Sequence, residues 1–136
     1  MAYTIYIDKN IAASEYSSLM ESVGWSSHYS EEMVRRSLTA YPFIAHARSQ
    51  SGMLCGYVSA FSDRTFSTML GELVVHPEAQ RKGVGRALLT AVEKEFVGVP
   101  VYVKPIGDAK QFFLACGYRV PSVEMQVLFN RNGAEG

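Results

Sequence analysis

One stretch, residues 71–90, constrains the fold of this chain more than any other. It begins with a short apolar run rich in β-branched residues, typical of a buried strand, which a His-Pro pair ends. A basic turn containing two glycines follows at 80–86, and apolar residues then recur every fourth position from Leu88 to Phe96. The stretch therefore predicts a strand, a glycine turn and an amphipathic helix in direct succession.

The turn at 80–86 combines three features that bind anions. A helix start leaves backbone N–H groups without partners at the positive end of the helix dipole. Gly83 and Gly85 allow a ligand to approach the backbone closely. Positive charge comes from three side chains: Arg81, Lys82 and Arg86. The turn therefore predicts a cradle for a phosphate or pyrophosphate. It is neither a P-loop nor a dinucleotide motif, because no Gly-Lys-Ser/Thr is present and Leu88 stands where the third glycine belongs.

The complete run resembles the acyl-CoA site of the GNAT superfamily of N-acetyltransferases. The family signature is Gln/Arg-x-x-Gly-x-Gly/Ala after a strand that ends in Val-x-Pro; Gln80, Gly83 and Gly85 fill it, and Val75 and Pro77 precede it. The resemblance implies acetyl-CoA as co-substrate. It assigns cofactor binding to the strand backbone and the turn: Leu73, Val74, Val75, Gln80, Arg81, Lys82, Gly83, Val84, Gly85 and Arg86.

Size and composition limit the remaining possibilities. The chain has 136 residues, which predicts a single domain over 1–130 followed by a flexible tail at 131–136. Lys plus Arg and Asp plus Glu balance at 13 each, so we expect neither nucleic acid nor a membrane as a partner. Cys55 and Cys116 form no spaced ligand set, so we expect no metal and read both as reduced core residues. With no leader-like start and no long apolar run, the expected location is cytoplasmic.

The chain also predicts an order of elements that fits this family. Asn10 and Ser30 are candidate caps for two helices, of which the second has Met33 on its inner face, and Asp108 is a candidate cap for a short late helix. The expected strands are 3–7, 43–48, 53–61, 68–76, 99–103, 118–120 and 124–129, and the expected helices are 12–22, 30–38, 85–96 and 109–116. This α/β order, β-α-α-β-β-β-α-β-α-β(-β), predicts a mixed sheet with an antiparallel meander of strands 2–4 and a parallel crossover to strand 5. It is also the GNAT order, in which strands 4 and 5 are splayed around acyl-CoA.

Glu72 is the first candidate for the general base. The amine must be neutral to attack, so a group must remove its proton. Strand alternation puts Glu72, Val74 and His76 on one face, where the carboxylate could act directly or through water; the alternative is an exposed strand residue paired with a lysine. His76 is a second candidate, although its place before Pro77 equally fits a turn cap.

The acceptor region in the resembling family corresponds here to residues 25–29. Trp25, His28 and Tyr29 are the candidate substrate-binding residues. The two aromatic rings could stack on an amine substrate, or they could pin the loop to the core. His46 is read as a core or sheet-surface histidine.

A second family motif, Asn-x-x-Ala-x-x-Phe/Leu-Tyr-x-x-x-Gly-Phe/Tyr, is only partly kept. Four positions fit: Ala109, Phe112, Gly117 and Tyr118. Ile106 replaces the asparagine that bonds the pantetheine, and Phe113 replaces the tyrosine that usually protonates the leaving thiolate. The usual general acid is therefore missing, with Tyr102 and Tyr118 as the nearby alternatives, of which Tyr118 fits core packing better.

The resemblance implies an N-acetyltransferase that transfers an acetyl group from acetyl-CoA to a primary amine on a small molecule, by direct attack in a ternary complex. The alternatives are a non-catalytic acyl-CoA-binding module, which the absent tyrosine favours, and transfer to a protein N-terminus or lysine. Dimers are common in the family, so a homodimer is one expectation.

Overall fold

The computed structural model describes residues 2–25 and 28–134. The chain divides into two compact units, Met1–Val103 and Lys104–Gly136, and each is described by itself.

The first unit carries most of the regular structure. Its elements are β1 (Tyr3–Tyr6), α1 (Ala13–Ser22), α2 (Glu31–Ala40), β2 (Phe43–Ser49), β3 (Leu54–Ser62), β4 (Thr68–Val75), a 3₁₀ turn (Pro77–Ala79), α3 (Val84–Glu95) and β5 (Val101–Tyr102). The expected helices and strands of this unit are all present, with ends that differ by a few residues. The predicted succession of strand, glycine turn and helix is confirmed in β4 and α3.

The five strands form one mixed sheet in the order β1-β2-β3-β4-β5. The pairings from β1 to β4 are antiparallel, and β4 pairs with β5 in parallel, which confirms the predicted meander and crossover. The β4–β5 ladder contains only two pairs, Thr68 with Val101 and Met69 with Tyr102. Beyond Met69, β4 continues for six residues without β5 beside it in this ladder. The two strands therefore part where the resemblance places the splay.

Helices cover both faces of this sheet. On one face, α1 and α2 bury a core that includes Tyr16, Leu19, Val34 and Tyr57. On the other face, α3 packs its predicted stripe, and Leu88, Val92 and Phe96 are all buried. Since neighbouring residues of a strand point to opposite faces, each side chain of β4 faces either the α1–α2 layer or the α3 layer.

The helix starts differ in part from their predictions. Ser30 caps α2 as expected, because its hydroxyl accepts from the Met33 N–H at 3.1 Å. Met33 itself is exposed, so its predicted inner-face position is wrong: the first turn of α2 faces solvent and burial begins at Val34. Asn10 does not cap α1 either. The helix begins after Ala12, which has no side-chain oxygen to cap the first turn; its own N–H donates to the Glu15 carboxylate at 3.0 Å.

Among the described residues of the second unit, 104–134, there is one helix, α4 (Ala109–Ala115). Asp108 lies at its start without a side-chain capping bond, since its backbone is helical rather than extended. Gly117 ends the helix region with φ +91°, as expected. The predicted closing strands at 118–120 and 124–129 are wrong, because these residues form no ladder. Their alternating apolar side chains signal strand propensity, but a strand also needs a backbone partner, and Pro121 between them cannot donate.

Gly56 sets how closely α3 approaches β3. A Cβ there would lie 2.8 Å from Val84 Cγ1, 2.9 Å from Leu88 Cδ1 and 3.3 Å from Ala47 Cβ. We expect Gly56→Ala to lower the free energy of unfolding by about 1–3 kcal/mol through overpacking. Urea unfolding followed by circular dichroism measures this, and an unchanged midpoint would show that α3 can shift without cost.

Candidate active site

A β-bulge in the middle of β4 places the first candidate residue. Leu70 pairs with Ala60 and Leu73 pairs with Val58, so Gly71 and Glu72 together oppose the single residue Ser59. The Glu72 N–H donates to the Ser59 hydroxyl oxygen at 3.0 Å. The bulge thus aims the Glu72 side chain into the α1–α2 layer of the first unit.

Three hydroxyl groups from different elements meet the Glu72 carboxylate. Tyr41, directly after α2, donates to Oε2 at 2.6 Å, and Ser59 on β3 donates to the same oxygen at 2.9 Å. Tyr16 on α1 donates to Oε1 at 3.3 Å. Glu72 is half-buried, and these donors stabilise a carboxylate that water only partly solvates. The alternative reading of Glu72, as an exposed strand residue paired with a lysine, does not match these contacts.

Gly71 is required by the same arrangement. A Cβ at this position would lie 2.7 Å from Cε1 of Tyr41 and closer still to the Tyr41 and Ser59 hydroxyl groups. Only a residue without a side chain lets Tyr41 reach across the bulge to Glu72. The Gly71–Glu72 pair therefore acts as one structural feature.

Both tyrosines of the cluster remain hydrogen-bond donors at neutral pH. Burial, followed by the hydrogen bond and the negative charge of Glu72, raises the pKa of Tyr41 to about 12. Burial, and next the charge of Glu72, raises the pKa of Tyr16 above its usual value as well. Neither phenol therefore competes with Glu72 for a base role in this pH range.

The candidate acceptor residues connect to this cluster through Tyr29. The Tyr29 ring packs edge-on against Tyr16, with 5.9 Å between the ring centroids, and joins the core beneath α1. Trp25 is partly exposed, and its backbone N–H donates to the Met20 carbonyl at 3.0 Å at the end of α1. His28 is exposed, and Ser26 and Ser27 lie outside the described residues.

The other side of β4 presents backbone groups at its open edge. The His76 N–H donates to the Cys55 carbonyl at 2.9 Å, so by alternation the backbone N–H of Val74 also faces β3. The backbone groups of Leu73 and Val75 face away from β3, and the Val75 carbonyl accepts from the Gln80 side chain at 3.0 Å. Of the three strand residues expected to bind the cofactor, Leu73 and Val75 offer their N–H groups at the open edge.

The turn after β4 has the backbone conformation expected of an anion cradle. Arg81 and Gly83 both have positive φ, +64° and +84°. Gly83 is the N-cap of α3, and the first ladder bond runs from the Ala87 N–H to the Gly83 carbonyl. The N–H groups of Val84 and Gly85 therefore precede the helical ladder. The side chains of Arg81, Lys82 and Arg86 are exposed around them.

A family profile for the acetyltransferase (GNAT) domain matches residues 40–120 of the chain. The protein belongs to the GNAT acetyltransferase family. The matched region contains β2 to α4, and with them Glu72 and the turn at 80–86.

Solved structures share the GNAT fold along nearly the whole chain. A GNAT-family acetyltransferase, SP0256 of Streptococcus pneumoniae TIGR4, is 20% identical with a TM-score of 0.74, and the match covers 96% of this chain and 99% of that one. Glucosamine-6-phosphate N-acetyltransferase of Arabidopsis thaliana is 14% identical with a TM-score of 0.75, covering 96% and 100%. AAC(6')-Iy, solved with the bisubstrate analogue CoA-S-monomethyl-acetylneamine, is 17% identical with a TM-score of 0.72, covering 96% and 98%. No curated protein sequence matches the chain.

His76, the second candidate base, closes the turn of this GNAT domain. Its Nδ1 accepts from the Glu78 N–H at 3.1 Å, which caps the short 3₁₀ helix. This is the turn-capping role that its position before Pro77 suggested. His46 is buried, as one of its two readings expected, and its Nε2 lies 2.7 Å from Asp8 Oδ1.

Phe113, which stands where the family usually has a tyrosine, is a buried packing residue of the second unit. Its ring packs edge-on against Phe112 and Tyr118, with centroids 5.2 and 5.6 Å away. Tyr118, which follows α4, thus packs against the ring of Phe113, in line with the expected packing role.

Sequence reasoning missed the roles of three hydroxyl groups in this site. None of the three, Tyr16, Tyr41 and Ser59, was singled out as a functional residue. One signal was present: a glycine followed by a carboxylate inside an apolar strand indicates a bulge with a polar partner. Among the described residues no cluster of His, Cys, Asp or Glu could hold a metal ion, and no helix there is long and apolar enough to cross a membrane.

Proposed function

We propose that this GNAT domain transfers an acetyl group from acetyl-CoA to a primary amine. The observation that carries the proposal is the place of Glu72, which lies on a bulge of β4 within the stretch where β4 has parted from β5. A proton acceptor and an open strand edge thus occur on the same short segment. A base for the amine and N–H donors for the developing oxyanion both accelerate amide formation from a thioester.

The residues around the turn fit the acyl-CoA that the family uses. The early N–H groups of α3 and the three basic side chains of the turn would hold the pyrophosphate. Gln80 would fix the end of β4 through its bond to the Val75 carbonyl. The CoA-containing analogue bound by AAC(6')-Iy supports this assignment by analogy of fold.

In the proposed reaction Glu72 takes a proton from the acceptor ammonium, directly or through one water molecule. The neutral nitrogen then attacks the thioester carbon and a C–N bond forms. As the C–S bond breaks and the CoA thiolate leaves, the nitrogen gives up a second proton to water and ends as a neutral amide. N–H groups of Leu73 and Val75 would stabilise the negative charge that develops on the carbonyl oxygen, since donors fixed in advance favour the transition state. The acetyl group passes directly between the two substrates, without a covalent enzyme intermediate.

A phenyl ring cannot donate a proton, so Phe113 takes no part in protonating the thiolate. A thiol has a pKa of about 8–9, so the thiolate can leave without simultaneous protonation. Water, or a tyrosine such as Tyr102, would supply the proton afterwards.

The acceptor is proposed to be a small-molecule amine that contacts Trp25, His28 and Tyr29. Tyr29 supports this placement, because its ring touches the ring of Tyr16, which in turn donates to Glu72. Transfer to a protein N-terminus or lysine is the alternative within the same reaction class.

One observation favours a second function. Phe113 removes the usual general acid, which would suit a module that binds acyl-CoA without turning it over. Thiol release from acetyl-CoA in the presence of a panel of amines separates the two functions. Release with any amine supports the enzyme, and tight binding without turnover supports the module.

Gly83→Val should abolish acetyl-CoA binding, because the added side chain strains a residue with φ +84° and fills the space beside the phosphates. Gly98→Val is the matched control, since Gly98 has φ +83° and also lies in a turn, but outside residues 80–86. Isothermal titration of both variants with acetyl-CoA measures the effect. Wild-type affinity in a folded Gly83→Val protein would show that the cofactor binds elsewhere.

Glu72→Gln should lower kcat/KM for the amine by about 10²-fold and flatten the rise of rate with pH, because the amide cannot accept the ammonium proton. Glu78→Gln, which neutralises an exposed carboxylate of the neighbouring 3₁₀ turn, is the control and should retain the wild-type rate. The assay is steady-state acetyl transfer across a range of pH values. A Glu72→Gln protein with a normal rate and pH profile would make Glu72 purely structural.

A further inference from the structure

The two oxygens of the Glu72 carboxylate have unequal surroundings. Oε2 accepts from Tyr41 at 2.6 Å and from Ser59 at 2.9 Å. Oε1 accepts from Tyr16 at 3.3 Å, which is longer than the usual O–H···O range. One oxygen is therefore firmly held, and the other retains capacity to accept a stronger donor.

We propose that Tyr41 and Ser59 are positioning residues that fix Oε2 of Glu72 and leave Oε1 as the atom that accepts the amine proton. This inference rests on the proposed acetyl transfer. In the step concerned, one N–H bond of the ammonium breaks, an O–H bond forms at Oε1, and the freed electron pair of nitrogen attacks the thioester. The nitrogen loses its second proton to water as the C–S bond breaks, and the proton on Oε1 passes to water as the product leaves.

The position of Tyr16 supports this division of roles. Its hydroxyl is the donor to Oε1, and its ring packs against Tyr29 of the proposed acceptor segment. Oε1 is thus the carboxylate oxygen whose donor adjoins that segment. A charge-assisted bond from an ammonium is shorter and stronger than a 3.3 Å bond from a neutral phenol, so a bound amine can displace Tyr16 from Oε1.

Tyr41 is held in place independently of its hydroxyl bond. Its ring packs on Phe61 with 4.4 Å between centroids, and Gly71 provides the space that its hydroxyl crosses to reach Glu72. Tyr41→Phe keeps the ring and its packing while removing only the donor. The substitution therefore tests the hydroxyl bond and not the core.

The experiment is a double-mutant cycle between Tyr41 and Glu72, with kcat/KM for the best amine as the readout and melting temperature as a check of folding. Tyr41→Phe alone should lower kcat/KM about tenfold, the size expected for loss of a hydrogen bond to a charged group. In the Glu72→Gln background the same change should cost less than about twofold, because the carboxylate that Tyr41 positions is already gone.

Two further tyrosines provide comparisons. Tyr6→Phe is the control, because Tyr6 is exposed on β1, which β2 and β3 separate from β4, and it should stay within about twofold of wild type. Tyr16→Phe should cost clearly less than Tyr41→Phe, since substrate displaces the Tyr16 bond in any case. A larger loss for Tyr16→Phe than for Tyr41→Phe would show that Oε1 is not the oxygen that accepts the amine proton.

Equal losses from Tyr41→Phe in both backgrounds, or no loss in either, would overturn this inference while leaving acetyl transfer by the wild-type protein intact. Absence of transfer by the wild-type protein to any amine would overturn the proposed function itself, and this inference with it. The two failures are therefore distinguishable in one set of assays.

Discussion

The structure of the candidate site depends on one carboxylate held among hydroxyl groups. Glu72 is a half-buried charge in a layer that consists mainly of apolar and aromatic side chains. An unpaired charge there would be costly, and the donors from Tyr16, Tyr41 and Ser59 offset that cost. Because the donors come from three separate elements, the bonds to Glu72 also tie α1, the end of α2 and β3 to β4. The same bonds that stabilise this layer therefore orient the proposed base.

β4 contributes to both proton transfer and oxyanion stabilisation in the proposed reaction, because one of its faces carries Glu72 and its open edge presents backbone N–H groups. Its bulge turns Glu72 into the α1–α2 layer, while its edge beyond Met69 leaves Leu73 and Val75 unpaired with β5 in the parallel ladder. Its end leads into the turn where α3 begins. A single strand thus brings a proton acceptor, N–H donors and an anion cradle within a few residues of one another. The GNAT family membership gives this arrangement a reaction class, and the residues suggest how the chain carries it out.

Much of this could be predicted from sequence because the determinants are local. The strand, turn and helix of residues 71–90 follow from β-branching, glycine and helical periodicity, and the resemblance to GNAT proteins follows from Gln80, Gly83 and Gly85. The hydroxyl partners of Glu72 could not be predicted in the same way. Tyr41 and Ser59 are 31 and 13 residues from Glu72 in the chain, and their meeting depends on sheet register and on a bulge. The predictions of a cap at Asn10 and of a strand at 124–129 were wrong for a related reason: a cap or a strand needs a partner that the local pattern does not specify.

The central claim is direct transfer of the acetyl group between two bound substrates. Rapid-quench mixing of acetyl-CoA-loaded protein with the best amine, followed by mass spectrometry of the product and the intact protein, tests it most directly. The account predicts that amide and CoA thiol appear together in equal amounts and that the protein mass never increases by an acetyl group. An acetylated protein that forms before the amide, or thiol release without amide, would contradict the account.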